Sequence, residues 1–171
     1  DGAALGVAGS AGRQDGRSAS LTAPNGQAQQ ELIIHAVHDA NMSADELAIS
    51  EAHGTGTALG DPIEARSLFG SLLSRRGKGA PLAVGGVKAN IGHAEAAAGL
   101  TGMLKLSLAL QASTASSNAQ LRVINPHVGS TLKGLACTLA TQPATASRGL
   151  ADVNGGVSSI GDSGTSADAA M

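Results

Sequence analysis

Aromatic side chains are nearly absent from this sequence: Phe69 stands alone, with no Tyr and no Trp. Large rings ordinarily dominate core burial, so a core here must rest on Leu, Ile, Val and Ala. With 24 glycines as well, only modest stability is expected. A single cysteine, Cys137, excludes an internal disulfide framework and fits a reducing, cytoplasmic compartment. Charge is sparse at 14% of residues, and a formal net charge of −2 supplies no basic field for nucleic acid. No run approaches the ~18 apolar residues of a membrane span. The opening "DGAALGVAGS" has neither an initiator Met nor a cationic signal-peptide region, as expected of a chain cut from something longer. What remains is 171 residues, 42% of them apolar, enough for one domain with a core.

Residues 1–25 are small and polar and end in a Pro24-Asn25-Gly26 turn signal. Over 27–39, Leu32, Ile33, Ala36 and Val37 share one helical face. The short apolar run 47–50 reads as a buried strand. The next helix begins near Asp61, which can cap it; Pro62 suits the first position and Glu64 stands three residues after the cap. A strand over 81–88 precedes a helix over 94–112, with Leu100, Met103, Leu104 and Leu108 at helical spacing. Residues 111–120 read as an exposed connection, and 135–142 and 152–161 as closing strands. Alternation of this kind predicts a mostly parallel sheet packed by helices. Chemistry in such sheets gathers where strands end and helices begin, and two glycine-flanked histidines, His53 and His93, fall at such exits.

Gly54, Thr55, Gly56 and Thr57 after His53 permit close backbone approach and offer hydroxyls. No Gly-Lys-Ser/Thr follows, so this is not a phosphate loop. Taken alone, a histidine in a turn is more often satisfied locally than catalytic. Asp61 and Glu64 read as a cap and a first-turn acid, or as acceptors that hold a buried lysine or histidine. Lys88 and His93 make a sharper pair. Asn90, Gly92 and the small residues beyond suit a tight turn that aims His93 from a helix N-terminus, favouring a neutral, donating imidazole. The plainer alternative is a Lys88–Glu95 ion pair. His35, His38 and His127 lack the company of a zinc site, and no metal is expected. The Asn41–Ser43 glycosylation triplet is a common chance match. Cys137, inside a strand-like run, reads as a small hydrophobe and not as a nucleophile.

Four segments, "GRQDGRSASLTAPNGQAQ", "EAHGTGTALGDPIEA", "VGGVKANIGHAEAAAGLTGMLKLSLAL" and "NGGVSSIGDSGTSA", together resemble the C-terminal half of β-ketoacyl synthases. The likeness is greatest to ketosynthase domains of type I polyketide synthases, and it runs from about residue 5 to the end. It implies an α/β, thiolase-like fold, here the C-terminal half of a five-layered αβαβα body. Residues 1–25 would be a remnant of the N-terminal half with its connecting loop, and 26–171 the C-terminal domain.

The resemblance implies decarboxylative Claisen condensation of thioesters carried on acyl carrier protein. His53 and His93 match the paired histidines that stabilise charge on the malonyl thioester oxygen. Lys88 matches an organising lysine held by acids such as Asp61, Glu64 or Glu95, with Asn90 in support. Thr55 and Thr57 match positions that bond the phosphopantetheine arm, which arrives as substrate carrier; no bound cofactor is implied. The nucleophilic cysteine of the family belongs to the other half, so this chain alone should not condense anything, and a homodimer is expected of the intact parent. Where the family usually reads Gly-Val-Ser-Ser-Phe-Gly-Phe-Ser-Gly-Thr-Asn-Ala-His, this chain has Ile160, Asp162, Ser166 and Asp168. Asp162 replaces a gating aromatic, and a carboxylate there would repel malonate. That departure supports a rival reading, a non-condensing chain-length-factor-like or degenerate partner that binds carrier protein or another subunit. A degradative thiolase is disfavoured because a second cysteine is lacking.

Overall fold

A computed structural model describes residues 5–16, 23–77, 79–119, 121–146, 153–161 and 164–171. The strands are β1 (Gly9–Gln14), β2 (Leu47–Glu51), β3 (Leu82–Gly85), β4 (Thr114–Ala115), β5 (Cys137–Leu139), β6 (Ala144–Thr145), β7 (Asn154–Ile160) and β8 (Thr165–Ala170). The helices are α1 (Gly26–Asp39), α2 (Gly60–Ser71), α3 (Lys88–Ile91), α4 (Ala98–Gln111) and α5 (Pro126–Leu132). Six strands form one sheet in the order β1-β8-β7-β2-β3-β5, and β4 pairs with β6 apart from it. The expected parallel pairing holds for β7-β2, β2-β3 and β3-β5. The other edge differs: β8 runs antiparallel to both β7 and β1. β1 reads "GSAGRQ" and β8 "TSADAA", neither with the β-branched or aromatic enrichment that marks a strand. Their pairing, from Gly9 opposite Ala170 to Gln14 opposite Thr165, makes them strands.

Two apolar layers sandwich the sheet. On one face Ile33 and Val37 of α1 and Leu68 of α2 meet Leu47, Leu82 and Val84. On the other, Leu106 and Leu110 of α4 meet Ala48, Ile49, Ala83 and Val157. β2 lies at the centre and is buried along its whole length, as a parallel strand covered on both faces must be. Close packing depends on missing side chains: a Cβ at Gly155 would lie 2.6 Å from Leu106 Cδ1.

Asn25 caps α1 by accepting from the Gln27 and Ala28 amides, and Leu32, Ile33, Ala36 and Val37 are buried as expected. Four expectations need correction. Asp61 does not cap α2, which begins one residue earlier; Thr57 Oγ1 accepts the Gly60 N–H and Asp61 Oδ1 accepts the Gly56 N–H instead. The strand expected over 81–88 stops at Gly85, and Lys88 opens α3. Leu100, Leu104 and Leu108 are 61%, 56% and 66% exposed, while Ala98, Gly102, Leu106 and Leu110 face the sheet. α4 is apolar on two sides, and periodicity cannot say which side packs. Finally, the described part of the connection expected over 111–120 is built in: Ala115 is buried in β4, and Asn118 is tied to β3 and to Ala140.

Candidate functional site

β2 ends at Glu51, and the chain leaves the sheet through a loop with left-handed Gly54 (φ 50) and Gly56 (φ 76). Glu64, at the start of the second turn of α2 and so not the first-turn acid expected, organises that loop: its two oxygens accept the His53 N–H at 2.6 Å and the Gly54 N–H at 2.9 Å. Burial pushes the Glu64 carboxyl above its ordinary range. The Gly54 and His53 amides pull it back, Asp61 pushes it up again and Lys88 draws it down.

The His53 side chain sits under this loop, 9% exposed. Its Nδ1 accepts the Ile160 N–H at 3.2 Å. Lys88 Nζ lies 3.3 Å from the same nitrogen and donates to the His53 carbonyl. A neutral imidazole whose Nδ1 accepts must carry its proton on Nε2. The exposed His93 follows Gly92, which is left-handed at φ 81. Its Nδ1 accepts the Glu95 N–H at 2.8 Å, which sets the same tautomer. The two rings stand edge to face, centroids 5.9 Å apart at 84°. One Nε2–H donor therefore comes from the exit of β2, and the other from the loop after α3 rather than from the strand exit expected for His93.

Lys88 is pushed below its ordinary range by burial, against which Glu64 and Glu51 act. Its acidic neighbours are thus Glu64, which the sequence suggested, and Glu51, which it did not. Asp61 is engaged with Gly56, and Glu95 contributes its amide to His93. Among the described residues, ion pairs join Arg13 to Glu31 and Lys105 to Glu51, and none joins Lys88 to Glu95.

An open cavity of about 580 Å³ borders this group, its wall including Thr55, Asp61, Glu64, Lys88, His93 and Asn118. Thr55 and Thr57 hydroxyls are 3.4 Å apart; Thr57 also holds the Gly60 amide. Asn90 turns aside to pin the neighbouring connection, donating to Ser117 O at 3.1 Å and accepting from Ala119 N at 3.3 Å. Asp162 lies outside the described residues. Glu51, Lys105 and Asn118 went unremarked in the sequence. The available signals were an acid ending a buried strand and one lysine inside an otherwise uncharged helix.

Asp168, on β8, is another buried carboxyl. Burial raises it to about 7, against a hydrogen bond from Ser158 and with a push from Glu64; Ser158 Oγ donates to Asp168 Oδ2 at 2.5 Å. Cys137 is half-buried in β5, its thiol pushed up by burial and drawn down by Arg76. His35, His38 and His127 are exposed. No group of three or more metal-ligating side chains occurs among the described residues, and no described helix is long and apolar enough to cross a membrane.

Residues 5–122, from β1 through the site and past α4, match the family described as "Beta-ketoacyl synthase, C-terminal domain". The chain belongs to this family. Its relatives include mycoketide-CoA synthase of Mycobacterium tuberculosis H37Rv, 44% identical over 162 residues. Erythronolide synthase EryA2 of Saccharopolyspora erythraea is 43% identical over 161 residues. Each alignment covers 94% of this chain and 4% of the relative, so the chain spans a small part of those proteins. Among solved structures, the oxazolomycin ketosynthase domain OzmH KS7 of Streptomyces albus JA3453 superposes with a TM-score of 0.88 at 29% identity. The match covers 96% of this chain and 29% of that one. Ketosynthase twelve of the bacillaene polyketide synthase of Bacillus amyloliquefaciens gives 0.87 at 30% identity, covering 95% and 29%. The α/β, thiolase-like ketosynthase fold implied by the sequence is the fold observed.

Proposed function

We propose that this chain is the C-terminal half of a β-ketoacyl synthase that extends polyketide chains, or fatty acids, by decarboxylative Claisen condensation. The observation that carries the reading is the paired tautomer of His53 and His93. Each spends Nδ1 on a backbone N–H and keeps Nε2–H as a donor. In the reaction, a malonyl thioester loses carbon dioxide, and the electron pair of the broken C–C bond passes into an enolate. Two preorganised donors at the thioester oxygen stabilise that charge, each worth ~2.7–4 kcal/mol. The enolate carbon then attacks an acyl thioester on a cysteine of the N-terminal half, forming the new C–C bond and expelling the thiolate. Lys88 places its ammonium beside His53 Nδ1, where a proton on that nitrogen would face a like charge.

The substrate carrier in this reading is acyl carrier protein, its phosphopantetheine arm running past Thr55 and Thr57. Thr57 accepts from Gly60 and retains its own proton to donate. The exposed Leu100, Leu104 and Leu108 stripe suits coverage by the N-terminal half, within a homodimeric, cytoplasmic parent. Alone, this chain condenses nothing, because Cys137 lies in β5 and not among the histidines.

The full-length parent tests this directly. Acyl loading and carbon–carbon bond formation with malonyl-carrier protein are expected; the absence of both overturns the reading. A second reading, a non-condensing partner, is favoured by the buried Asp168 where the family carries His. It expects carrier-protein binding that survives His53→Ala, with no decarboxylation in the unaltered parent.

A further inference from the structure

Glu51 ends β2 at 2% exposure, a costly place for a carboxylate unless both oxygens are matched. Both are. Oε1 accepts the Val87 N–H at 2.5 Å, and Oε2 meets Lys105 Nζ at 2.6 Å. Lys105 is the only charged residue of α4 and reaches inward with its side chain 17% exposed. Next to them, Asn118 Oδ1 accepts the Gly86 N–H at 3.0 Å while its amide donates to Val84 O and Ala140 O. Two consecutive amides, Gly86 and Val87, are therefore held by side chains from two other segments. They form the turn in which β3 ends and Lys88 begins α3. Space there is closed: a Cβ on Gly85 would lie 3.1 Å from Lys105 Nζ.

We propose that Glu51, seated by Lys105 and assisted by Asn118, is a positioning residue that sets the Gly86–Val87 turn and so delivers the Lys88 ammonium to His53. The inference rests on the roles given to Lys88 and His53 above and adds what places them. Glu51 works through geometry and charge together. Among the described residues, the charged and titratable groups near Lys88 include Glu51 from β2, Glu64 from α2 and His53 from the loop between them, with Asp61 and His93 on the wall of the same cavity. Lys105 from α4 acts on Lys88 by neutralising Glu51. A buried ion pair serving stability alone would leave kcat unchanged in any variant that folds.

The test is competitive acetylation of the full-length parent across the alkaline range, with Lys88 followed by mass spectrometry of its peptide. Glu51→Gln keeps an acceptor for Val87 and removes the charge, so the Lys88 midpoint should fall. Lys105→Met leaves Glu51 unneutralised, so the midpoint should rise. Both variants should also lose kcat for malonyl decarboxylation on the order of 10- to 100-fold, as misplacement by about 1 Å can do, with KM near the wild-type value. A Lys88 midpoint unmoved in both folded variants overturns the proposal. If Glu51→Gln does not fold, Lys105→Met decides by itself: an upward shift supports the proposal and no shift overturns it. An unaltered parent that fails to decarboxylate malonyl thioester counts against the proposed function, whereas the labelling result still decides the placement of Lys88.

Discussion

Lys88 Nζ stands 3.3 Å from His53 Nδ1 and donates to the carbonyl of the same residue. One cation thus grips both the backbone and the ring side of a histidine 35 residues away. The acceptor nitrogen of that ring is already taken by Ile160 N–H, so a proton on Nδ1 would lose a hydrogen bond and face an ammonium. The contact leaves His53 a fixed donor through Nε2, and the His93–Glu95 amide contact does the same for the second ring.

Removing one donor should therefore damage chemistry more than binding. In the full-length parent, His93→Ala should lower kcat for malonyl decarboxylation by about 10²–10³, with circular dichroism unchanged because His93 is exposed. Steady-state kinetics on malonyl-carrier protein check this. Unchanged kcat would remove His93 from the site.

Stability should fall as pH rises towards neutrality. The folded-state value for Asp168, about 7, lies above its ordinary 3.8. The folded chain therefore holds a proton that the unfolded chain releases between those values. The stabilisation is complete below the lower value and is lost as pH rises through the upper one. Asp168→Asn, which keeps an acceptor for Ser158 without the charge, should gain on the wild type with increasing pH. Denaturant titrations at acid and mildly alkaline pH measure it; a constant difference would contradict the burial argument.

Two leucines of α4, two positions apart, should respond very differently to truncation. Leu106 is 1% exposed against Ile49 and Val157, and Leu106→Ala should cost about 2–5 kcal/mol. Leu104 is 56% exposed, and Leu104→Ala should stay within ~0.5 kcal/mol in this chain. Chemical denaturation of the 171-residue chain separates the two, and equal losses would mean that α4 is rotated.

The N-terminal strand should matter to the fold. A Cβ on Gly9 would lie 2.2 Å from Ala40 N and 2.6 Å from Ala36 O, both backbone atoms. Nothing there can yield by a side-chain rotation, so Gly9→Ala must push β1 away from the end of α1 at a cost of about 1–3 kcal/mol. A thermal midpoint equal to wild type would show that β1 does not dock on α1.

Local spacing in the sequence determined much of this protein. The α1 face at Leu32, Ile33, Ala36 and Val37, the strand exit bearing His53, and the family itself were legible because each depends on neighbours along the chain. Tertiary structure decided the rest. The acid partners of Lys88, the Glu51–Lys105 pair across 54 residues, the Ile160 amide that sets the His53 tautomer across 107 residues and the β1–β8 edge all join distant segments. Leu100, Leu104 and Leu108 carry the same periodic signal as a buried face, yet the sheet takes Leu106 and Leu110 instead. Periodicity records that a helix has an apolar side; only the packing of the whole chain says which side meets the sheet, and which charge meets which.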